Sequence, residues 1–248
     1  MIRVGIFTDT HYAKDFDSHS TRTHWQSGDK VRKILDALND EADVFIQLGD
    51  LINICGDHEG DMANIAFMMR ILNENPKKCY TVLGNHDVEA TKKKVFLPEQ
   101  EKGYYFFDLD GVRFIVLDGN FTSDGVSYED AEWDWTDSLI PAEEMAWLKA
   151  TLDETPGKAI VLVHQNLDPR PGDPHIVRNA DAVRAILEES GKVSYVFQGH
   201  CHTGCRGEYN GIVYHAFRAL CEKNNIPCAI LTVDGGDVRI EEKELYQA

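Results

Sequence analysis

A mixed α/β fold, with two mixed β-sheets flanked by helices, is the class that three observations predict. Short apolar runs alternate with helical patterns through the first half, the rhythm of parallel strands joined by right-handed crossovers. Asp110-Gly111 and Asn210-Gly211 each sit between apolar runs and mark tight hairpins, so antiparallel strands accompany the parallel ones. The 248 residues, 43% hydrophobic and 10% aromatic, suffice to bury a core and are read as one domain spanning 1–248.

In chain order, Ile2 to Phe7 reads as a strand. Val31, Ile34, Leu35 and Leu38 then recur at helical spacing and form an amphipathic helix. Val44 to Leu48 is a second strand. Met62 to Leu72 is a helix whose Met-rich face fills core. Tyr80 to Leu83 is a third strand. Tyr104 to Leu109 and Val112 to Leu117 form the first hairpin. Phe121 to Ile140, with Trp133 and Trp135 among six acidic residues, is an irregular insertion whose tryptophans either form a lid or anchor a long loop. Pro141 opens a helix carrying Met145, Trp147, Leu148 and Leu152. Strand Ala159 to Val163, a Pro-rich loop at Pro169 to Pro174, a helix near Ala180 to Glu189 and strand Val193 to Phe197 follow. Two hairpins close the chain, turning at Asn210-Gly211 and near Asp234-Gly235-Gly236.

The charge balance narrows the partners. Lys plus Arg number 25 against 42 Asp plus Glu, a formal net charge of −17. Long nucleic acids and anionic membranes, which are bound by basic residues, are not expected partners. Met1 to Thr8 runs straight into Asp9, too short for the apolar core of a signal peptide, and no run approaches a spanning helix. With no C-x-x-C pair among the 6 cysteines, they read as reduced thiols of a cytoplasmic protein.

The 10 histidines carry the chemistry. Asp9-Thr10-His11, Gly49-Asp50, Gly84-Asn85-His86-Asp87, His164 and Gly199-His200-Cys201-His202 each follow a predicted strand. Ligands of open α/β sheets bind beyond the carboxyl ends of strands, so the clusters should converge in one crevice. Gly49, Gly84 and Gly199 would let the chain turn sharply there. Cys201 alternates with two histidines, so its side chain should point away from them.

This ordered set resembles the calcineurin-like metallophosphoesterase superfamily, with its D-x-H, G-D, G-N-H-[DE], H and G-H-x-H segments. The resemblance covers residues 2 to about 220 and implies a four-layered αββα sandwich around two divalent metal ions. One ion would be held by Asp9, His11, Asp50 and His202, the other by Asp50, Asn85, His164 and His200, with Asp50 bridging. Two ions about 3.5–4 Å apart clamp the attacking and leaving oxygens of an in-line displacement and acidify a shared water, giving a hydroxide nucleophile. Imidazole, carboxylate and amide oxygen ligands suit Mn, Fe or Zn. The resemblance places His86 over the phosphate as a catalytic residue, with Asp87 orienting it.

The implied activity is hydrolysis of a small phosphodiester or nucleoside-diphosphate-type substrate. The phrases Thr21-Arg22, Gln47 to Ile52, Pro141 to Leu152 and Gly211 to His215 resemble the manganese-dependent ADP-ribose/CDP-alcohol diphosphatase group, although that family commonly has Gln where His11 stands. A cyclic-nucleotide phosphodiesterase is the alternative within enzymes, and a non-catalytic scaffold retaining the fold is the alternative outside them. Tyr12, Arg22, Asn53 and Arg218, each close to a motif in sequence, are the candidate substrate-binding residues.

Overall fold

The computed structural model describes residues 1–14, 21–100, 102–131, 134–170, 173–223 and 225–246. The first sheet takes β1 (Ile2–Phe7), β2 (Val44–Leu48), β3 (Cys79–Val82), β10 (Ile226–Asp234) and β11 (Asp237–Leu245) in the order β11-β10-β1-β2-β3. β1, β2 and β3 run parallel, and β10 pairs antiparallel with β1. The second sheet takes β4 (Tyr105–Leu109), β5 (Val112–Val116), β6 (Ala159–Val163), β7 (Val193–Gln198), β8 (Cys205–Tyr209) and β9 (Ile212–Ala216), ordered β4-β5-β6-β7-β9-β8. Its four inner strands are parallel, and each end is closed by an antiparallel hairpin.

Three apolar layers stack these sheets. Val4, Ile6, Ile46 and Leu48 of one sheet meet Phe114, Val116, Ile160 and Leu162 of the other, all buried. Helices α1 (Ser27–Leu38) and α2 (His58–Glu74) cover the outer face of the first sheet through Val31, Ile34, Leu35, Met68 and Ile71. Helices α5 (Ala142–Glu154) and α6 (Ala180–Ser190) cover the second through Leu148, Leu152, Val183 and Leu187. The result is the four-layered αββα sandwich expected. No helix among the described residues is long and apolar enough to cross a membrane.

The expected elements are present, with informative shifts. The helix expected from Met62 starts at His58, because the Asp57 side chain accepts from Glu59 N and Gly60 N and caps a polar first turn that apolar periodicity does not reach. Two short helices, α3 (Asn85–Ala90) and α4 (Lys93–Phe96), follow β3. Asp110 and Gly111 both take positive φ, 49° and 78°, as their hairpin turn demands. The described residues of the segment 121–140 are irregular as expected, and Glu132 and Trp133 lie outside them.

Candidate metal centre

Five strand ends deliver the site. Asp9 and His11 follow β1, Asp50 follows β2, Asn85 and His86 open α3 after β3, His164 follows β6, and His200 and His202 follow β7. Asp9, His11, Asp50 and His200 all adopt the left-handed region, with φ of 51°, 44°, 54° and 65°. Non-glycine residues rarely sit there, and such strain persists where surrounding contacts over-determine it. Here those contacts are visible. Asp9 N donates to Gly49 O at 3.1 Å, His11 N to Asp50 O at 2.9 Å, and Gly199 N to His164 O at 3.1 Å.

The glycines serve the site by their missing side chains more than by their torsions. Of Gly49, Gly84 and Gly199, only Gly49 has positive φ, 95°. Gly84 sits at φ −96°, open to any residue, yet a Cβ there would lie 2.1 Å from Asp50 Oδ1. At Gly199 a Cβ would lie 2.3 Å from Thr8 Oγ1 and 2.9 Å from Asp9 Oδ2. The sharp-turn role expected of all three therefore holds at Gly49 alone.

Each aspartate is oriented by one oxygen and offers the other. Asp9 Oδ2 accepts from Thr8 Oγ1 at 2.7 Å and His200 N at 3.1 Å, while Oδ1 faces His202 Nε2 at 3.3 Å and His11 Nε2 at 3.7 Å. Asp50 Oδ1 accepts from His86 N at 2.9 Å, while Oδ2 lies 3.3 Å from His11 Nε2 and 3.2 Å from His164 Nε2. His164 Nδ1 is tied to Leu48 O at 2.8 Å and His202 Nδ1 to Glu222 Oε1 at 3.2 Å, so both rings present Nε2 inward. Asn85 Oδ1 and His200 Nε2 are buried without a hydrogen-bond partner among the described residues, while Asp9 Oδ1 and His164 Nε2 meet only the facing imidazoles and carboxylate. A buried unsatisfied polar atom costs about 1–3 kcal/mol, so two of them beside the paired aspartates mark a place built for something else to bind. Amide and carboxylate oxygens with imidazole nitrogens are the donor set that fits a transition-metal cation.

Electrostatics follow from this packing. Burial works to raise the Asp9 and Asp50 carboxyls, but the facing imidazoles outweigh it and hold both well below the usual carboxylate range. Burial works to lower His164 and His202, yet Asp50 carries His164 up to about 9, and Asp9 with Cys221 carries His202 up to about 11. Burial wins at His11, lowered to about 4, and at His200, pushed well below its usual value. Without metal, two protonated imidazoles thus neutralise two aspartates.

A cleft of about 530 Å³ opens over these residues, lined by His11, Asp50, Asn85, His86, His200 and His202 together with Arg22, Trp135, His175, Cys201, Thr203 and Glu222. Of the four candidate substrate-binding residues, Arg22 alone lines it. Tyr12 is buried in the α1–α2 core and stacked on Phe67 at 4.8 Å. Asn53 is buried, its Nδ2 donating to Ile54 O at 2.9 Å. Arg218 pairs with Glu244 on β11. Cys201, expected to face away, lines the cleft with its Sγ 3.7 Å from Thr203 Oγ1.

Asp87 also departs from expectation. It is fully buried, and its carboxylate accepts from Leu51 N at 2.8 Å, Ile52 N at 3.3 Å and Gly84 N at 2.9 Å, fastening the β2 and β3 turns together. The carboxylate facing His86 Nδ1 is Glu89, at 3.7 Å. Sequence reasoning missed Glu89, His175 and Glu222, and left Trp135 undecided between lid and anchor, because none of these lies in a motif.

A four-layered sandwich whose strand ends bring aspartates, histidines and an asparagine to one cleft defines a metallophosphoesterase. This chain belongs to the calcineurin-like phosphoesterases, whose family profile matches residues 2–204. Solved structures share the fold. A dimetal phosphatase from Danio rerio is 18% identical with a TM-score of 0.81, over 98% of this chain and 95% of that one. A purple acid phosphatase from yellow lupin (Lupinus luteus) seeds is 15% identical with a TM-score of 0.66, over 98% of this chain and 51% of that one. An archaeal phosphodiesterase is 14% identical with a TM-score of 0.50, over 98% of this chain and all 100% of that one. No curated protein matches the chain.

Proposed function

We propose that the protein hydrolyses a small phosphodiester or nucleoside-diphosphate-type substrate with two divalent cations. Asp9, His11, Asp50 and His202 would hold one, and Asp50, Asn85, His164 and His200 the other. The observation carrying this reading is Asp50. Its Oδ1 is fixed by the His86 amide, and its Oδ2 alone lies within 3.3 Å of both His11 Nε2 and His164 Nε2. One carboxylate oxygen between the two donor sets is the arrangement a bridging ligand needs.

When bound, such a pair supplies Lewis acidity to the phosphoryl group and lowers the pKa of a shared water. Mn, Fe or Zn suits the donors. The chain's own residues do the rest. His86, a quarter exposed in the cleft with its ring 4.7 Å from that of His11, is placed to donate a hydrogen bond to the phosphate and a proton to the leaving oxygen. Burial lowers its pKa, against the pull of Asp50. Asp87 holds the turn that carries His86. Arg22, whose Nε lies 3.6 Å from Glu222 Oε1, offers a cationic wall to a phosphate. The cleft volume suits a small molecule, and a net charge of −17 disfavours a polymeric nucleic acid. A substrate of the ADP-ribose or CDP-alcohol type belongs to this class.

The test strips the protein and restores Mn, Fe, Zn or Mg separately. Each form is then assayed with bis(p-nitrophenyl) phosphate, ADP-ribose, CDP-choline, cAMP and phosphomonoesters. Metal-dependent turnover of diesters or diphosphates supports the reading. Turnover of monoesters alone sinks the diester assignment, and no turnover with any metal sinks the enzyme.

A further inference from the structure

The cleft has two chemically different ends. Beyond His202 stand Glu222 and Arg22, a polar end. Beyond His200 stand Trp135 and His175, with rings 5.6 and 5.2 Å from that of His200. This aromatic end is built from parts outside the motifs, and each member sits in a hydrogen-bonded stretch of chain. His175 Nδ1 lies 2.6 Å from Asp173 Oδ1, and Asp173 Oδ2 takes Arg170 Nη1 at 2.6 Å. The chain around Trp135 is pinned by Asp134 Oδ1, which accepts from the N and Oγ1 of Thr136, both at 2.9 Å. Two residues on, Asp137 O accepts from Tyr128 OH at 3.0 Å.

The indole nevertheless remains 40% exposed. Its contacts with His175 and His200 are inclined at 45° and 70°, so neither imidazole stacks flat on it. A partly exposed indole leaves apolar surface in water, which a flat ring laid on it would remove.

We infer that Trp135, backed by His175, is a stacking subsite for a planar aromatic group carried by the substrate. The inference rests on the hydrolase reading and sharpens its substrate class. With the phosphorus over the metal centre, the flat ring lies on the His200 side and the remaining polar part on the Arg22–Glu222 side. Diesters and phosphoanhydrides bearing a nucleobase or another flat ring are then preferred over aliphatic ones. Trp135 acts as a specificity-determining residue and takes no part in the chemistry.

The test is calorimetric titration of the Mn-loaded full chain with AMP, phenyl phosphate and ribose 5-phosphate, so it does not depend on turnover. The wild type should bind AMP about tenfold tighter than ribose 5-phosphate, the ratio that ~1.4 kcal/mol of stacking produces. Trp135→Ala should bring the two within about twofold by weakening AMP alone, and Trp135→Phe should keep most of the preference. Tight binding of phenyl phosphate as well as AMP assigns the subsite to any flat ring, and of AMP alone to a base. No AMP binding, no preference in the wild type, or an equal loss for both ligands in Trp135→Ala overturns the subsite. Absence of wild-type turnover of bis(p-nitrophenyl) phosphate, ADP-ribose, CDP-choline, cAMP and phosphomonoesters alike would instead overturn the hydrolase reading.

Discussion

Gly84→Ala isolates the tightest packing in the centre. An ideal Cβ at Gly84 lies 2.1 Å from Asp50 Oδ1, 2.2 Å from Asp50 N and 2.8 Å from Asp50 Cγ. The carboxylate can rotate, but the backbone nitrogen cannot. Reaching an ordinary contact of about 3.4 Å needs the β3–α3 turn to retreat by about 1.2 Å. The backbone itself imposes no penalty, since φ there is −96°. That retreat stretches His86 N to Asp50 Oδ1 from 2.9 Å to about 4 Å and displaces Asn85 and His86 from the other site residues. A misplacement of about 1 Å costs about 10²-fold in rate, and overpacking destabilises by about 1–3 kcal/mol. For a chain of this length each kcal/mol lowers Tm by about 2–4 °C. The assay is Mn-saturated kcat on bis(p-nitrophenyl) phosphate, with bound metal and thermal unfolding read on the same sample. Gly207→Ala, where an added Cβ meets nothing within 4 Å, is the control expected to match wild type. Wild-type kcat and full metal content in Gly84→Ala would refute the packing argument.

Other outcomes follow from the same geometry. His86→Ala should keep its metals by elemental analysis and lose about 10²–10⁴-fold in kcat, and unchanged turnover would remove His86 from the mechanism. Metal loading at pH 7 should release about two protons per chain, because His164 and His202 are raised to about 9 and about 11 in the metal-free protein. Calorimetry in buffers of different ionisation enthalpy counts them, and no release would contradict the assignment. For metal-free stability, the His164 contribution is fully present below pH 6.5, its unfolded value, and is lost as pH rises through about 9. Denaturant melts of stripped protein between pH 6 and 10 read that decline.

Most of the fold and the positions of the seven expected metal ligands were legible in the sequence, for definite reasons. Parallel buried strands read as short apolar runs, and hairpin turns carry Gly at positive φ, so β1 to β3 and all three Gly-turn hairpins announce themselves. Residues just past a strand must lie at its carboxyl end, which brings Asp9, Asp50, Asn85, His164 and His200 together whatever the loops do. Direction of side chains was harder. Asp87 neighbours His86 in sequence, but both lie on α3, where successive side chains point about 100° apart and residues three apart share a face. Glu89 therefore faces His86, while Asp87 turns inward to the amides of Leu51, Ile52 and Gly84. Tyr12 and Asn53 failed as substrate contacts for the same reason, since being next to a motif does not mean facing the cleft. Trp135, His175 and Glu222 come from irregular segments with no period, so only packing reveals where they go.

Asp50 decides the account. If its Oδ2 bridges two cations, Asp50→Asn should lose both, and elemental analysis of Mn-loaded variant should fall from two ions per chain toward none. Retention of two ions, or clean loss of only one, would contradict a shared dimetal centre.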